Sequence, residues 1–280
     1  MSYIAPGGPT VNLLVGGAAP SASNPLPTTV TSNTGVEANQ LDLDRVTVAA
    51  GDAPTRMALY KFGRRAAVGT SYVDIAVQGT VVQPAAASKV YLWSTSGDDV
   101  LGGANLEKVQ IYGLDAAGAL QDELLNMNGT TEVESAGTYT AVFRIRPVQA
   151  ASVDSPAGTV NVGATGKGTT YARIPIYTAV GRGQTQMAWY QVPTGYKLVI
   201  DEAGGSVVDT SKAGALNLLA LDVGSCWRSI WERTLTPASS STALALSGPY
   251  AAGTVIKIQG KIASTSGDMF AFFSGYLVPV

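Results

Sequence analysis

The stretch Leu114-Asp115-Ala116-Ala117-Gly118-Ala119-Leu120-Gln121-Asp122-Glu123-Leu124-Leu125-Asn126-Met127, followed by Asn128-Gly129, carries the choice of fold class. Read with a period of 3.6, Ala117, Leu120, Leu124 and Met127 make one apolar stripe, and the composition favours a helix. Read as a hairpin, one strand ends at Leu114 and a turn follows at Asp115–Gly118. A second strand then runs to Met127, and Asn128-Gly129 makes another turn. Asn-Gly is the strongest short-range hairpin signal. The pattern alone leaves both readings open. A continuous helix here would break a β-sandwich at its centre.

Outward from this stretch the chain reads as strands. Residues 68–83 (VGTSYVDIAVQGTVVQ) alternate, with Val73, Ile75 and Val77 on one face. Residues 89–93 (KVYLW) are a short β-rich run before the turn-like Ser94–Asp99. Residues 107–114 alternate through Val109 and Ile111, and residues 138–148 place Tyr139, Ala141, Phe143 and Ile145 on one face, with Pro147 marking an end or an edge. The clearest strand is 254–262 (TVIKIQGKI): Ile256, Ile258 and Ile262 face inward, and Lys257, Gln259 and Lys261 face water. Residues 187–192, 196–200 and 269–278 complete the second block. Short strands at this spacing, without convincing helices between them, indicate sandwiches or jelly rolls.

Three segments follow from this reading. Residues 1–55 are rich in Gly and Pro and form an extended N-terminal arm, in which Val11, Leu13, Leu14 and Val15 are candidate interface residues. Residues 56–165 form a first β-sandwich, whose end at 148–170 looks like a linker. Residues 171–280 form a second.

Composition narrows the chemistry. The chain has 280 residues, 46% of them hydrophobic and only 14% charged, against roughly 25% charged in an average globular chain. Its net charge is −2, which argues against binding nucleic acid through clustered Lys and Arg. Histidine is absent, which removes the usual general base near neutral pH and the commonest metal ligand. One cysteine, Cys226, excludes an internal disulfide and a thiolate zinc cage. No apolar run approaches the ~20 residues of a membrane-spanning helix, and the N-terminus lacks the pattern of a secretory signal.

Candidate sites are few. Asp42/Asp44 and Asp98/Asp99 are the tight acidic clusters, but neither has calcium-loop spacing, and Asp98-Asp99 reads as a solvated turn. Gly163–Thr170 superficially resembles a phosphate loop, but Lys167 precedes Gly168 and no strand–loop–helix context surrounds it. Residues 226–233 (CWRSIWER) are the most distinctive feature. On a regular strand Trp227, Ser229, Trp231 and Arg233 share one face. Trp227 and Trp231 then fill the core, form a protein interface or stack on a glycan. Arg64-Arg65 is the basic cluster, a solvated turn or a contact for an acidic partner. These readings assign no catalytic, cofactor-binding or metal-binding residue.

Several runs, in their order, resemble the virion structural proteins of tailed, often marine, bacteriophages. They are Lys61–Arg64, Leu92–Asp99 with Gly102-Gly103-Ala104, Val109–Asp115 followed by Leu125–Thr131, and Tyr190–Tyr196, closed by strands like Thr254–Ile262 and Phe270–Val278. The resemblance spans about residues 57–280 and departs where Met127 separates Asn126 from Asn128-Gly129. It implies that 114–127 is a hairpin and that the fold is all-β, with two tandem sandwich or jelly-roll domains. It also implies a non-enzymatic virion protein made in the host cytoplasm. The expected role is a capsid-bound decoration or head-fibre protein acting as a homo-oligomer, a trimer among the candidates. Its expected partners are its own copies and a major capsid protein or other virion proteins, with no cofactor, nucleic acid or membrane. The alternatives are a neck or tail protein, a receptor-binding lectin-like module, and a double jelly-roll major capsid protein.

Overall fold

The computed structural model describes residues 2–3, 11–12, 56–151, 156–176, 183–209, 211–237, 240–242 and 247–280. All described secondary structure is β, and every strand pairing is antiparallel. Strands β1 (Ser2–Tyr3) and β2 (Val11–Asn12) form a two-stranded ladder with Tyr3 opposite Val11. Leu13, Leu14, Val15 and the rest of the expected arm lie outside the described residues.

The ambiguous stretch 114–127 is a hairpin. Strand β6 (Leu106–Leu114) pairs with β7 (Leu120–Asn126) from Leu114↔Leu120 to Lys108↔Asn126. Asp115 closes the turn: its Oδ1 accepts the N–H of Ala117 at 2.8 Å and of Ala119 at 2.9 Å, and Gly118 supplies the positive φ of 74°. The helical stripe is not a core face. Leu120 and Leu124 are 40% and 47% exposed, and of the four only Met127 belongs to a buried core. Instead Gln121, Glu123 and Leu125 share the better-covered face. Gln121 donates to the Thr138 carbonyl, and the Glu123 carboxylate accepts the N–H groups of Ala136 and Gly137. Cross-strand hydrogen bonds and this loop contact prevail over helical propensity.

Asn128-Gly129 turns the chain, but it does not build the expected type of hairpin. It leads into β8 (Val133–Glu134), which pairs with β5 (Tyr91–Ser94) rather than β7. Gly129 has positive φ (59°) and Asn128 does not, so a type I′ turn is not formed. A side chain at Gly129 would also meet the Gly97 backbone at 3.0 Å.

Two hydrophobic clusters organise Gly51–Val280, which is one compact unit. One lies between the sheet β11 (Thr170–Ile174)–β10 (Val160–Gly163)–β5–β8 and the sheet β7–β6–β9 (Ala141–Ala150), with Leu92, Val109, Ile111, Ile145 and Val162 at its centre. The other is larger. One of its sheets is β16 (Ser240–Thr242)–β13 (Tyr196–Val207)–β19 (Gly267–Pro279)–β3 (Met57–Val68), with β17 (Ser247–Tyr250) also on β13. The facing sheet is β12 (Trp189–Gln191)–β18 (Val255–Ile262)–β14 (Gly214–Leu221)–β15 (Arg228–Leu235), with β4 (Val73–Asp74) also on β18. Ile256, Ile258 and Ile262 point into this core as the alternation requires.

The pairing cuts across the expected boundary at 165–171. β3 and β4, from the first block, belong to sheets of the second: β3 runs along β19 and β4 along β18. The linker-like segment carries β10 and the start of β11, which pair with each other. Alternation marks a strand but not its partner, and β3 finds its partner about 200 residues downstream. Beyond Val68, which ends β3, residues 69–83 form only the short β4 and a bridge from Ala76 to Met187.

Lys61 is a buried, inward residue of β3. Its Nζ donates to the Phe143 carbonyl on β9 and lies 5.7 Å from the Phe143 ring centroid, and that ring is 4.8 Å from Tyr190.

Candidate interaction surfaces

Among the described residues no cluster of three or more Asp, Glu or Cys side chains is placed to hold a metal. The reading of Asp98-Asp99 as a solvated turn needs correction. Asp98 is exposed, but Asp99 is fully buried and accepts four hydrogen bonds. They come from Ser94 Oγ (2.6 Å), Leu106 N (3.3 Å), Ala157 N (2.8 Å) and Gly158 N (2.9 Å). The Ser94–Asp99 run thus ties β5 and β6 to the segment entering β10. A buried carboxylate persists only when its lone pairs are used in this way. Asp99 is therefore a structural pin.

The loop that superficially resembles a phosphate loop is the β10–β11 connection. Its amides already have an anion: the Glu132 carboxylate accepts the N–H groups of Gly166 and Lys167, and Lys167 takes a positive φ of 53° to present them.

The two candidate surface groups lie on different sheets. Arg64 and Arg65 are on β3, not in a solvated turn. Arg64 Nη2 meets Asp268 Oδ2 at 2.7 Å, which holds the Asp268 carboxyl below the usual carboxylate range; the Ala67 N–H adds to this. Arg65 Nη1 lies 3.5 Å from the Asp74 carbonyl.

Trp227 and Trp231 do not share a face. The register between β14 and β15 jumps from Leu218↔Trp231 to Leu219↔Ser229, so Ile230 is the extra residue of a β-bulge. The bulge shifts the alternation by one. Trp231 falls on the core side and packs against the larger cluster. Trp227 falls on the outer side, 41% exposed, with the Lys257 ammonium 4.4 Å from its ring centroid. Lys257 does not simply face water: its Nζ is 2.8 Å from buried Asp74, which also accepts from Gln259 and from the Val81 N–H. On the same outer face the Tyr72 hydroxyl donates to Glu232 at 2.6 Å, and Lys261 lies 4.5 Å from the Tyr72 ring centroid. Burial first, then the Glu232 carboxylate, push the Tyr72 phenol up to about 12. This face is a ladder of aromatic–cation and ion-pair contacts, largely satisfied within the chain.

Sequence reading missed an aromatic surface on the described residues. The outward positions of β3 and β19 carry Tyr60, Phe62, Phe270 and Phe272. Ring centroids are 5.8 Å apart for Tyr60–Phe272, 6.1 Å for Tyr60–Phe62 and 6.3 Å for Phe270–Phe272. Tyr60 is 61% exposed. The signal was present as alternation in 57–63 and 269–273, but only the β3–β19 pairing joins the two pairs of rings into one patch.

No protein-family model and no curated protein sequence matches the chain. Among solved structures, the chain is similar to one of infectious bursal disease virus, Gt strain, at 9% identity and a TM-score of 0.20, over 80% of this chain and 72% of that one. It is similar at 9% identity and a TM-score of 0.19 to the VP2 subviral particle of the same virus, over 80% and 71%. At these scores the likeness carries no conclusion about this chain.

Proposed function

We propose that the chain is a non-enzymatic structural protein of a bacteriophage particle, a capsid-bound decoration or head-fibre protein that works as a homo-oligomer. The observation that carries this reading is the outward aromatic patch of Tyr60, Phe62, Phe270 and Phe272. Contiguous outward aromatic rings, of which Tyr60 is exposed and the three phenylalanines are half-buried, fit a surface that meets a partner. Three features of the sequence support it: the ordered resemblance over 57–280, a charged fraction of 14%, and the absence of any histidine to serve as a base near neutral pH.

In this reading residues 1–55 are a docking arm. Val11, Leu13, Leu14 and Val15 supply apolar side chains, each worth roughly 1.5–3 kcal/mol when fully buried against a neighbouring chain. Deleting residues 2–45 tests the arm. The cooperative melt of the remaining chain should be unchanged, while incorporation into particles falls. Incorporation equal to that of the full chain would contradict the docking role.

A further inference from the structure

We infer that the outer face of the β3–β19–β13 layer is a self-association surface, on which a second copy of this chain packs face to face about a two-fold axis running along β19. This deepens the reading of the chain as a self-assembling structural protein and rests on it.

Backbone register sets the layout of the face. Its rows across β3, β19 and β13 are Arg64–Phe270–Ser206, Phe62–Phe272–Gly204 and Tyr60–Ser274–Glu202. Large aromatic side chains lie on β3 and β19. On β13 the same rows hold a serine, a glycine and a carboxylate. An axis along β19 lays β19 on its own mate and exchanges β3 with β13. Phe62 then lies over Gly204 of the second copy, and Arg64 over Ser206. Tyr60 lies over Glu202, where its hydroxyl can donate to the carboxylate. Off the axis, a bulky residue of β3 meets a small or complementary one of β13 in every row, while Phe270 and Phe272 meet their own mates on the axis. An axis across the strands would instead set β3 on β3, ring against ring. Self-complementarity of this kind is what an isologous interface requires. Sheets whose strands run along one another, about 30° apart, are also the common mode of face-to-face packing.

The size of the face agrees with this occupant. The strands have 12, 13 and 12 residues. At about 3.3 Å per residue and 4.8 Å between strands, the face measures roughly 40 by 15 Å. That is about 600 Å² per copy and about 1,200 Å² in all, the lower bound of a specific protein interface.

The test has two arms on the full chain. The first measures sedimentation across a concentration series for the wild type and for Tyr60→Lys. Tyr60 is exposed, so the melt should be unchanged while self-association weakens at least about tenfold. The second combines Tyr60→Cys and Glu202→Cys with Cys226→Ser under mild oxidation. Within one chain β19 separates the two positions by two strand spacings, about 10 Å, beyond the ~7 Å reach of a disulfide. Any bond between them therefore joins two copies, and a covalent dimer on a non-reducing gel is expected. An oligomer that survives Tyr60→Lys and forms no cross-link overturns this face while leaving self-assembly standing. A wild type that stays monomeric across the series overturns the face together with the self-assembly reading.

Discussion

Asp99→Ala is expected to destabilise the chain by about 3–5 kcal/mol, a large share of the stability of an ordinary domain. Four donors converge on this fully buried carboxylate: the Ser94 hydroxyl and the N–H groups of Leu106, Ala157 and Gly158. Alanine removes every acceptor and leaves the N–H groups of Leu106 and Gly158 without this partner in buried surroundings, and that of Ala157 in half-buried ones. Each such group costs about 1–3 kcal/mol, softened where the loop can relax. Asp99→Asn keeps the size but turns one acceptor oxygen into a donor, so it should fall between wild type and alanine. Urea unfolding followed by tryptophan fluorescence measures this. A loss below about 1 kcal/mol for Asp99→Ala would mean that the Ser94–Asp99 run does not hold the first core together.

Lys61 sets a pH dependence. Burial is the main cause, and the nearby positive charge of Arg144 the second, that pull its amine down from 10.5 to about 7 in the folded chain. Between these two values the unfolded chain binds a proton that the folded chain does not. Stability therefore rises with pH across this window, by up to about 1.4 kcal/mol per pH unit. From pH 7 to pH 9 the expected gain is roughly 2 kcal/mol. Below pH 7 the amine is charged in both states and its penalty stays constant. No histidine titrates in the window, since the sequence has none. Lys61→Met should abolish the slope, because the thioether carries no proton. Unfolding midpoints at pH 6.5, 7.5, 8.5 and 9.5 (about one-unit steps) read both chains. A flat wild-type profile, or a slope that persists in Lys61→Met, would contradict the burial of this amine.

The fold class was legible because it rests on local alternation. In 254–262 and 107–114 one residue in two had to be apolar, and those residues are the buried ones. The stretch 114–127 was legible only as a choice between two readings. What decided it was the contact of Gln121 and Glu123 with the loop 136–138, which no local pattern encodes. Pairing over long distances was not legible. β3 alternates like any strand, and nothing in it names β19. The same limit hid Asp99, whose donors at Ala157 and Gly158 arrive 58 and 59 residues later. In CWRSIWER the alternation was sound on either side of Ile230, but one bulge reversed the face of everything beyond it. Trp231 went to the core and Trp227 stayed outside. The aromatic patch needed both β3 and β19 and came into view only when their register was known.

Whether this chain is a structural component of a phage particle is decided by a density map of the purified particle. Density for this all-β chain is expected on the particle, in symmetric contact with other copies of itself, with the β3–β19–β13 face buried between copies. A particle in which this chain has no place, although its gene is intact and the protein is made, would contradict the proposed role.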